Sequence, residues 1–265
     1  MFKPLASLAF VLIASGSYAA PCGNDASGFE AWKAAFATEA AAQGVGERGL
    51  AALAAANYSN ATIRLDRAVQ REARPFEEIW RMRGGEQLGQ QGRQRYADNR
   101  SFFDSLEQTF GIPGYYLVAI HGWETNFGSD LRFVEIPIIS AITTVAYDCR
   151  RPDLFLPHAI GALLLVDQGR LAAGDLGAGH GEIGHTQFLP GNALRYGIDG
   201  NGDGQIDLND WPDAVASTAN FLSQNGWQRG QGYAEGQPNF EVMYNWNRGT
   251  NYRKGVARLA DLIAG

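Results

Sequence analysis

The sequence predicts a mainly α-helical fold. Apolar residues recur at intervals of three and four along most of its 265 residues, the repeat of a single helix face. Glycines, prolines and asparagine-glycine pairs fall where such stretches would stop. Alternation of the strand type is nowhere sustained, and at most a short strand pair near the loop at 199–210 is expected.

The elements follow in order. Phe29, Trp32, Phe36 and Ala40 lie on one face of a helix running to about Gln43, with Ser27 before it and Gly44 after it. An alanine-rich helix covers Glu47–Ala56. A third runs from about Thr62 to Glu72 and ends before Pro75. Phe76–Met82 adds a short helix that Gly84-Gly85 breaks, and one further helix is expected from Gln87 to about Phe110. Gly111-Ile112-Pro113 is a turn. Tyr115–Phe127 reads as a buried helix closed by Gly128. Ile138–Tyr147, Leu154–Gln168, Asp213–Gln224 and Tyr252–Ile263 complete the set, with glycine-rich loops at 176–191 and 230–238.

Residues 1–19 read as a secretory signal peptide. Lys3 starts it, an apolar run follows from Leu5 to Ala14, and Ser17-Tyr18-Ala19 supplies small residues at the two positions a signal peptidase reads. The apolar run is too short to span a bilayer, and no later segment reaches that length. The expected location is periplasmic or secreted. Cys22 and Cys149 form an even pair, which in an exported chain points to a disulfide. Hydrophobic residues make up 45 % of the chain and charged residues 19 %, which excludes disorder. The net charge of −6 argues against nucleic acid as a partner, because phosphate binding needs a basic surface.

Glu124 is the first candidate for chemistry. On a helix it shares a face with Leu117, Ile120 and His121. Burial raises a carboxyl's pKa, and the negative end of the helix dipole in the last turn acts the same way. Both favour a proton donor of the kind a glycosidic oxygen needs on leaving.

Glu124-Thr125-Asn126-Phe127-Gly128, preceded by Val118-Ala119-Ile120, resembles the catalytic-glutamate motif of lytic murein transglycosylases of the membrane-bound transglycosylase B type. Four more stretches continue the resemblance in order. They are Gly181-Glu182-Ile183-Gly184-His185-Thr186-Gln187-Phe188-Leu189-Pro190, Tyr196-Gly197-Ile198-Asp199, Ala216–Leu222 followed by Gly226-Trp227, and Trp246-Asn247 with Tyr252. The resemblance implies a lysozyme-like catalytic core over 99–265 behind a helical N-terminal region over 20–98. It implies peptidoglycan glycan strands as the partner and cleavage of the β-1,4 bond between N-acetylmuramic acid and N-acetylglucosamine, leaving 1,6-anhydromuramoyl ends. Glu124 would serve as acid and then base, without a cofactor and without a second carboxylate. Gln187, Tyr196, Asn247 and Tyr252 would contact substrate or support the glutamate. The sequence also departs from the family pattern. Ala178 stands where many members carry a serine thought to bond the glutamate, His180 stands where a small residue is usual, and Gly191 replaces a serine after Pro190.

A second chemical site is expected in Asp199-Gly200-Asn201-Gly202-Asp203-Gly204-Gln205-Ile206-Asp207-Leu208-Asn209-Asp210. Oxygen ligands at positions 1, 3, 5 and 9, glycine at 6 and isoleucine at 8 make an EF-hand-like pattern. Asp199, Asn201, Asp203 and the Gln205 carbonyl are the expected ligands, for a structural Ca2+. The twelfth position is Asp210, whereas the resemblance points to Asp213 as the last ligand, so the metal loop spans 199–213.

Two rival readings remain at this point. One is a muramidase-type hydrolase of the same bond, which a second carboxylate near Glu124 would favour. The other is a catalytically impaired wall-binding scaffold, for which Ala178 speaks.

Overall fold

The computed structural model describes residues 21–68, 74–131 and 135–265. The leader expected at 1–19 lies outside the described residues. The chain folds into helices α1 (Phe29–Ala42), α2 (Glu47–Ala55), α3 (Asn60–Ala68), α4 (Phe76–Met82), α5 (Gly85–Asp98), α6 (Arg100–Phe110) and α7 (Gly114–Thr125). Then come β1 (Ile136–Pro137), α8 (Ile138–Tyr147), α9 (Pro152–Asp167), β2 (Leu176–Gly177), α10 (Pro190–Tyr196), α11 (Trp211–Gln224), α12 (Pro238–Val242) and α13 (Thr250–Ala264).

α7 is the central helix. Every residue in it is buried except Tyr115 and Glu124, the pattern of a helix packed on all sides. It lies against α5 and α13. Gly255 makes the approach of α13 possible, since a Cβ there would sit 2.2 Å from the Trp123 ring. α8 and α9 pack as a pair, and α9 also carries α2 and α10. One buried core runs from Phe29 to Ile263 through Trp32, Trp123 and Ile142. No helix among the described residues is long and apolar enough to cross a membrane.

Three expectations need correction. The single helix expected over 87–110 is two, because Asn99 leaves helical geometry at φ −118° and ψ 28°. Its side-chain amide donates to the Arg95 carbonyl and so satisfies an end of α5 that would otherwise continue. α7 ends before Phe127, at Asn126 with φ 49°, and Phe127 and Gly128 are left-handed too. The strand pair is β1–β2, antiparallel with Ile136 opposite Gly177, so it opens the glycine-rich segment and does not flank the 199–210 loop.

A disulfide joins Cys22 to Cys149. Two backbone hydrogen bonds flank it, Gly23 N–H to the Tyr147 carbonyl and Cys149 N–H to the Gly23 carbonyl, at 3.0 and 3.1 Å. The start of the described chain is therefore tied to the end of α8.

Candidate active site

Glu124 sits in the last turn of α7, half-buried. Its Oε1 accepts a hydrogen bond from the Tyr252 hydroxyl at 2.7 Å and one from the Trp246 indole N–H at 3.1 Å. Tyr252 comes from the first turn of α13. Trp246 follows a short 3-10 turn and is held edge-on by Phe188 and Phe221, with ring centroids 5.0 and 5.1 Å away. Burial pushes the Glu124 carboxyl up. The hydrogen bonds from Tyr252 and Trp246 and the charge of Arg83 oppose this, the charge of Glu182 adds to it, and the net position is about 7. Burial and the neighbouring carboxyl push the Tyr252 hydroxyl well above its ordinary value, so it remains a donor. Burial is the largest cause of that raised position.

Tyr252→Phe tests this balance. Losing a hydrogen bond to the charged form favours the protonated one. Glu124 in that variant should titrate about one pH unit higher, followed through its side-chain carboxyl carbon by NMR. A midpoint that stays or falls would contradict the assignment of Tyr252 as the donor that steadies the anion.

The glycine-rich segment closes over Glu124. Ile183 and Phe188 exchange backbone hydrogen bonds at 2.8 and 3.0 Å, which makes 184–187 a tight turn. Gly184 is left-handed at φ 69°, and a Cβ there would lie 1.8 Å from the Leu208 carbonyl oxygen. Gln187 is also left-handed, at φ 56°. That geometry costs a non-glycine residue roughly 1 kcal/mol and is found where function fixes a backbone. Its amide N–H2 donates to the Gly184 carbonyl at 2.9 Å. The Thr125 hydroxyl donates to the His185 carbonyl at 2.7 Å, which pins this segment to the end of α7.

Two cavities of about 240 and 130 Å³ flank Glu124, and both are lined by Glu124, Glu182 and Gln187. The first adds Trp246 and Asn247, the second Ala178 and Asn209. A cleft continuing on both sides of one acid suits a chain-like substrate. A larger cavity of about 600 Å³ lies between α9 and the 199–210 loop. It contains neither Glu124 nor its partners, so the chemistry belongs to the smaller pair.

The structure brings Glu124, Gln187 and Asn247 to one cleft, with Tyr252 hydrogen-bonded to Glu124. It does not bring Tyr196, whose ring is buried edge-on against Phe221 at 4.8 Å and which lines neither cavity. Neither histidine of the glycine-rich segment bonds Glu124. His185 pairs with His121 at 2.9 Å, and His180 pairs with Glu182 at the same distance. Sequence reasoning missed Glu182 and the Trp246 donor. The only local signal for Glu182 is a carboxylate set between two glycines of a loop.

The expected metal loop is present in sequence but is not drawn into a metal centre. Among the described residues no group of three or more His, Cys, Asp or Glu is placed to hold a metal ion. Its oxygens instead accept backbone N–H groups. Asp199 takes those of Gly202 and Gly204, Asn201 that of Asp203, and Asp203 that of Gln205. Asp213, buried at the start of α11, takes those of Gly200, Asn201 and Asp207. Asp210 accepts from the Asn201 amide.

Comparison with known proteins agrees with this geometry. The membrane-bound lytic murein transglycosylase B of Escherichia coli K12 is 30 % identical over 148 residues, which are 52 % of this chain and 40 % of that protein. The chain therefore spans less than half the length of that relative. The structure of SltB3 from Pseudomonas aeruginosa in complex with NAG-NAM-pentapeptide superposes with a TM-score of 0.79 at 25 % identity, over 89 % of this chain and 80 % of that one. The E. coli lytic transglycosylase Slt35 in complex with calcium gives a TM-score of 0.72 at 20 % identity, over 92 % and 96 %. The fold is thus mainly helical and lysozyme-like. The model of the transglycosylase SLT domain matches residues 28–237, a span that includes Glu124 and the glycine-rich segment, and the chain belongs to that family.

Proposed function

We propose that this protein is a peptidoglycan lytic transglycosylase that cleaves the β-1,4 bond between N-acetylmuramic acid and N-acetylglucosamine. The observation that carries this is Glu124, a carboxyl that titrates near 7 at the junction of two cavities. At or below that pH it holds a proton to give to the leaving oxygen. The bond from the anomeric carbon to that oxygen then breaks. The C6 hydroxyl of the same muramic acid attacks the anomeric carbon, and its proton passes to the Glu124 carboxylate. Atoms balance without water, and the acid is restored. Gln187 and Asn247 line the cleft with amides that can donate and accept, which suits hydroxyl and acetamido groups.

Muropeptides released from purified peptidoglycan, analysed by mass spectrometry, test the reading. Anhydro ends, lighter than reducing ends by one water, are the expected product. Reducing ends would instead identify a muramidase-type hydrolase, the second reading, to which Glu182 in the same cleft lends support. Wall binding without release would overturn both. A periplasmic or secreted location accords with this substrate and with the disulfide.

We also infer that the 199–213 loop takes a structural Ca2+. Its donor chemistry is all oxygen, at the spacing such ions need, and Asp199, Asn201, Asp203, the Gln205 carbonyl and Asp213 would hold the ion. At a hundredfold excess over Kd, Ca2+ should raise Tm by about 5 °C. In Asp213→Ala that increment should vanish, whatever the variant's own Tm. An increment unchanged in Asp213→Ala, or absent from the native chain, would remove the assignment.

A further inference from the structure

Glu182 has no role in the reaction as written, yet it is built into the cleft from behind. His180 holds both of its oxygens, with Nδ1 2.9 Å from Oε1 and its backbone N–H donating to Oε2 at 2.8 Å. The other ring nitrogen, Nε2, lies 3.1 Å from Asp66 Oδ1. Asp66 is buried on α3 and accepts hydrogen bonds from Arg150, Arg151 and Arg67. Arg67 in turn grips both oxygens of Asp148 at 3.0 and 2.7 Å. Phe155 stacks on the His180 ring, 5.8 Å between centroids and 12° from parallel.

The charges in this chain are set in sequence. Burial pushes the Asp66 carboxyl up, but the hydrogen bonds and charges of Arg150 and Arg151 outweigh it and hold the group at about 2. Burial pushes His180 down, yet its hydrogen bond to Glu182 and the charges of Glu182 and Asp66 hold it up. An imidazolium can donate from both nitrogens, which is what carboxylates on either side require. Burial pushes Glu182 up in turn, and the hydrogen bond and charge of His180 more than reverse that.

We propose that Glu182 is a second acidic group of the reaction, a fixed anion that stabilises the positive charge developing at the anomeric carbon, with His180 and Asp66 as positioning residues behind it. The inference rests on the lytic reading of the cleft. Glycosidic cleavage passes through an oxocarbenium-like transition state, and a preorganised charge in a site poor in water stabilises such a state without reorganising. Glu182 suits this better than it suits the task of a base. Both its oxygens are already held, and its basicity is lowered, whereas a general base works best near the operating pH. No bond forms to Glu182 and no proton moves to it.

The same charge acts on the acid. Glu124 is faced by Tyr252, Trp246, Arg83 and Glu182, and Glu182 is the member of this set that favours the protonated form. Glu182→Gln should therefore lower muropeptide release about 10–100-fold and move the Glu124 midpoint, read from its carboxyl carbon by NMR, to lower pH. Glu182→Asp, which keeps the charge, should return the midpoint toward about 7. A merely structural role would move neither midpoint in this order. His180→Gln is the second variant, needed if Glu182→Gln does not fold, and it should raise the titration of Glu182 itself and lower release. An unmoved Glu124 midpoint in folded Glu182→Gln, release equal to the native protein, or an unmoved Glu182 in His180→Gln would overturn the proposal. The midpoint needs no turnover. A native protein that releases nothing while the midpoint shifts defeats the lytic reading, and an active native protein with no shift defeats this inference.

Discussion

Glu124→Gln should lower release of muropeptides by at least about 10³-fold. A positioned general acid contributes roughly 10²–10⁴-fold, and here one group both gives and later takes the proton. Glutamine keeps the shape and an oxygen that can still accept from Tyr252 and Trp246, so the loss reports the proton and not the fold. The pH dependence gives a second readout. Native activity should fall as pH rises past about 7, because the acid then loses its proton. Stability supplies a third, with a fixed sign. A carboxyl whose folded pKa lies above its unfolded value stabilises the fold fully below 4.5, and that stability is lost as pH rises through about 7. Above that range the ionised group costs at most about 3 kcal/mol. Glu124→Gln should therefore melt higher than the native protein at pH 8, while being inactive. A variant that is inactive and also less stable at pH 8 would mark Glu124 as an ion-paired structural residue.

Much of this site was legible before any coordinates. Glu124 stood out because it interrupts an apolar face, and the structure leaves it and Tyr115 as the only residues of α7 that are not buried. The direction of its shift followed from burial and from its place in the last turn of a helix. Tyr252 and Trp246 were visible only as family motifs, since they reach Glu124 across 128 and 122 residues and no local pattern encodes such a meeting. Trp246 packs edge-on against Phe188 and Phe221, yet its indole N–H donates to Glu124. The clamp on Glu182 was hidden for the same reason, because His180 and Asp66 lie 114 residues apart. Tyr196 stands at a motif position where the resemblance implies a contact to substrate or to the glutamate, and its ring packs in the hydrophobic core against Phe221. The split between α5 and α6 turns on one asparagine side chain that caps the helix it could have continued, a choice periodicity does not register. In the 199–210 loop the order of the oxygens is legible in the sequence, whereas the backbone N–H groups that they accept from are set by the fold.

Removing the disulfide should have the largest effect on stability. Cys22 and Cys149 are 127 residues apart, and closing a loop of that size restricts the unfolded chain by about 4–5 kcal/mol in the chain-entropy model. Measured losses for native bridges run at about 2–5 kcal/mol, which for a chain of this length lowers Tm by about 5–15 °C. Gly23 is held to the end of α8 by two backbone hydrogen bonds and lies so close to Tyr147 that a Cβ on it would meet the phenol oxygen at 1.9 Å. Asp148, next to the bridge, grips Arg67, and Arg67 reaches Asp66 and thus His180. Glu124, in contrast, sits on α7 and is held by Tyr252 of α13. Thermal melts of Cys22→Ser with Cys149→Ser, and of the native protein under reductant, should show the fall in Tm. The Glu124 midpoint should stay at about 7 while the fold persists. A loss of less than about 1 °C would mean that the bridge closes no loop the unfolded chain would otherwise open. A Glu124 midpoint that moved with the bridge would mean that the end of α8 reaches the acid through Asp66, His180 and Glu182.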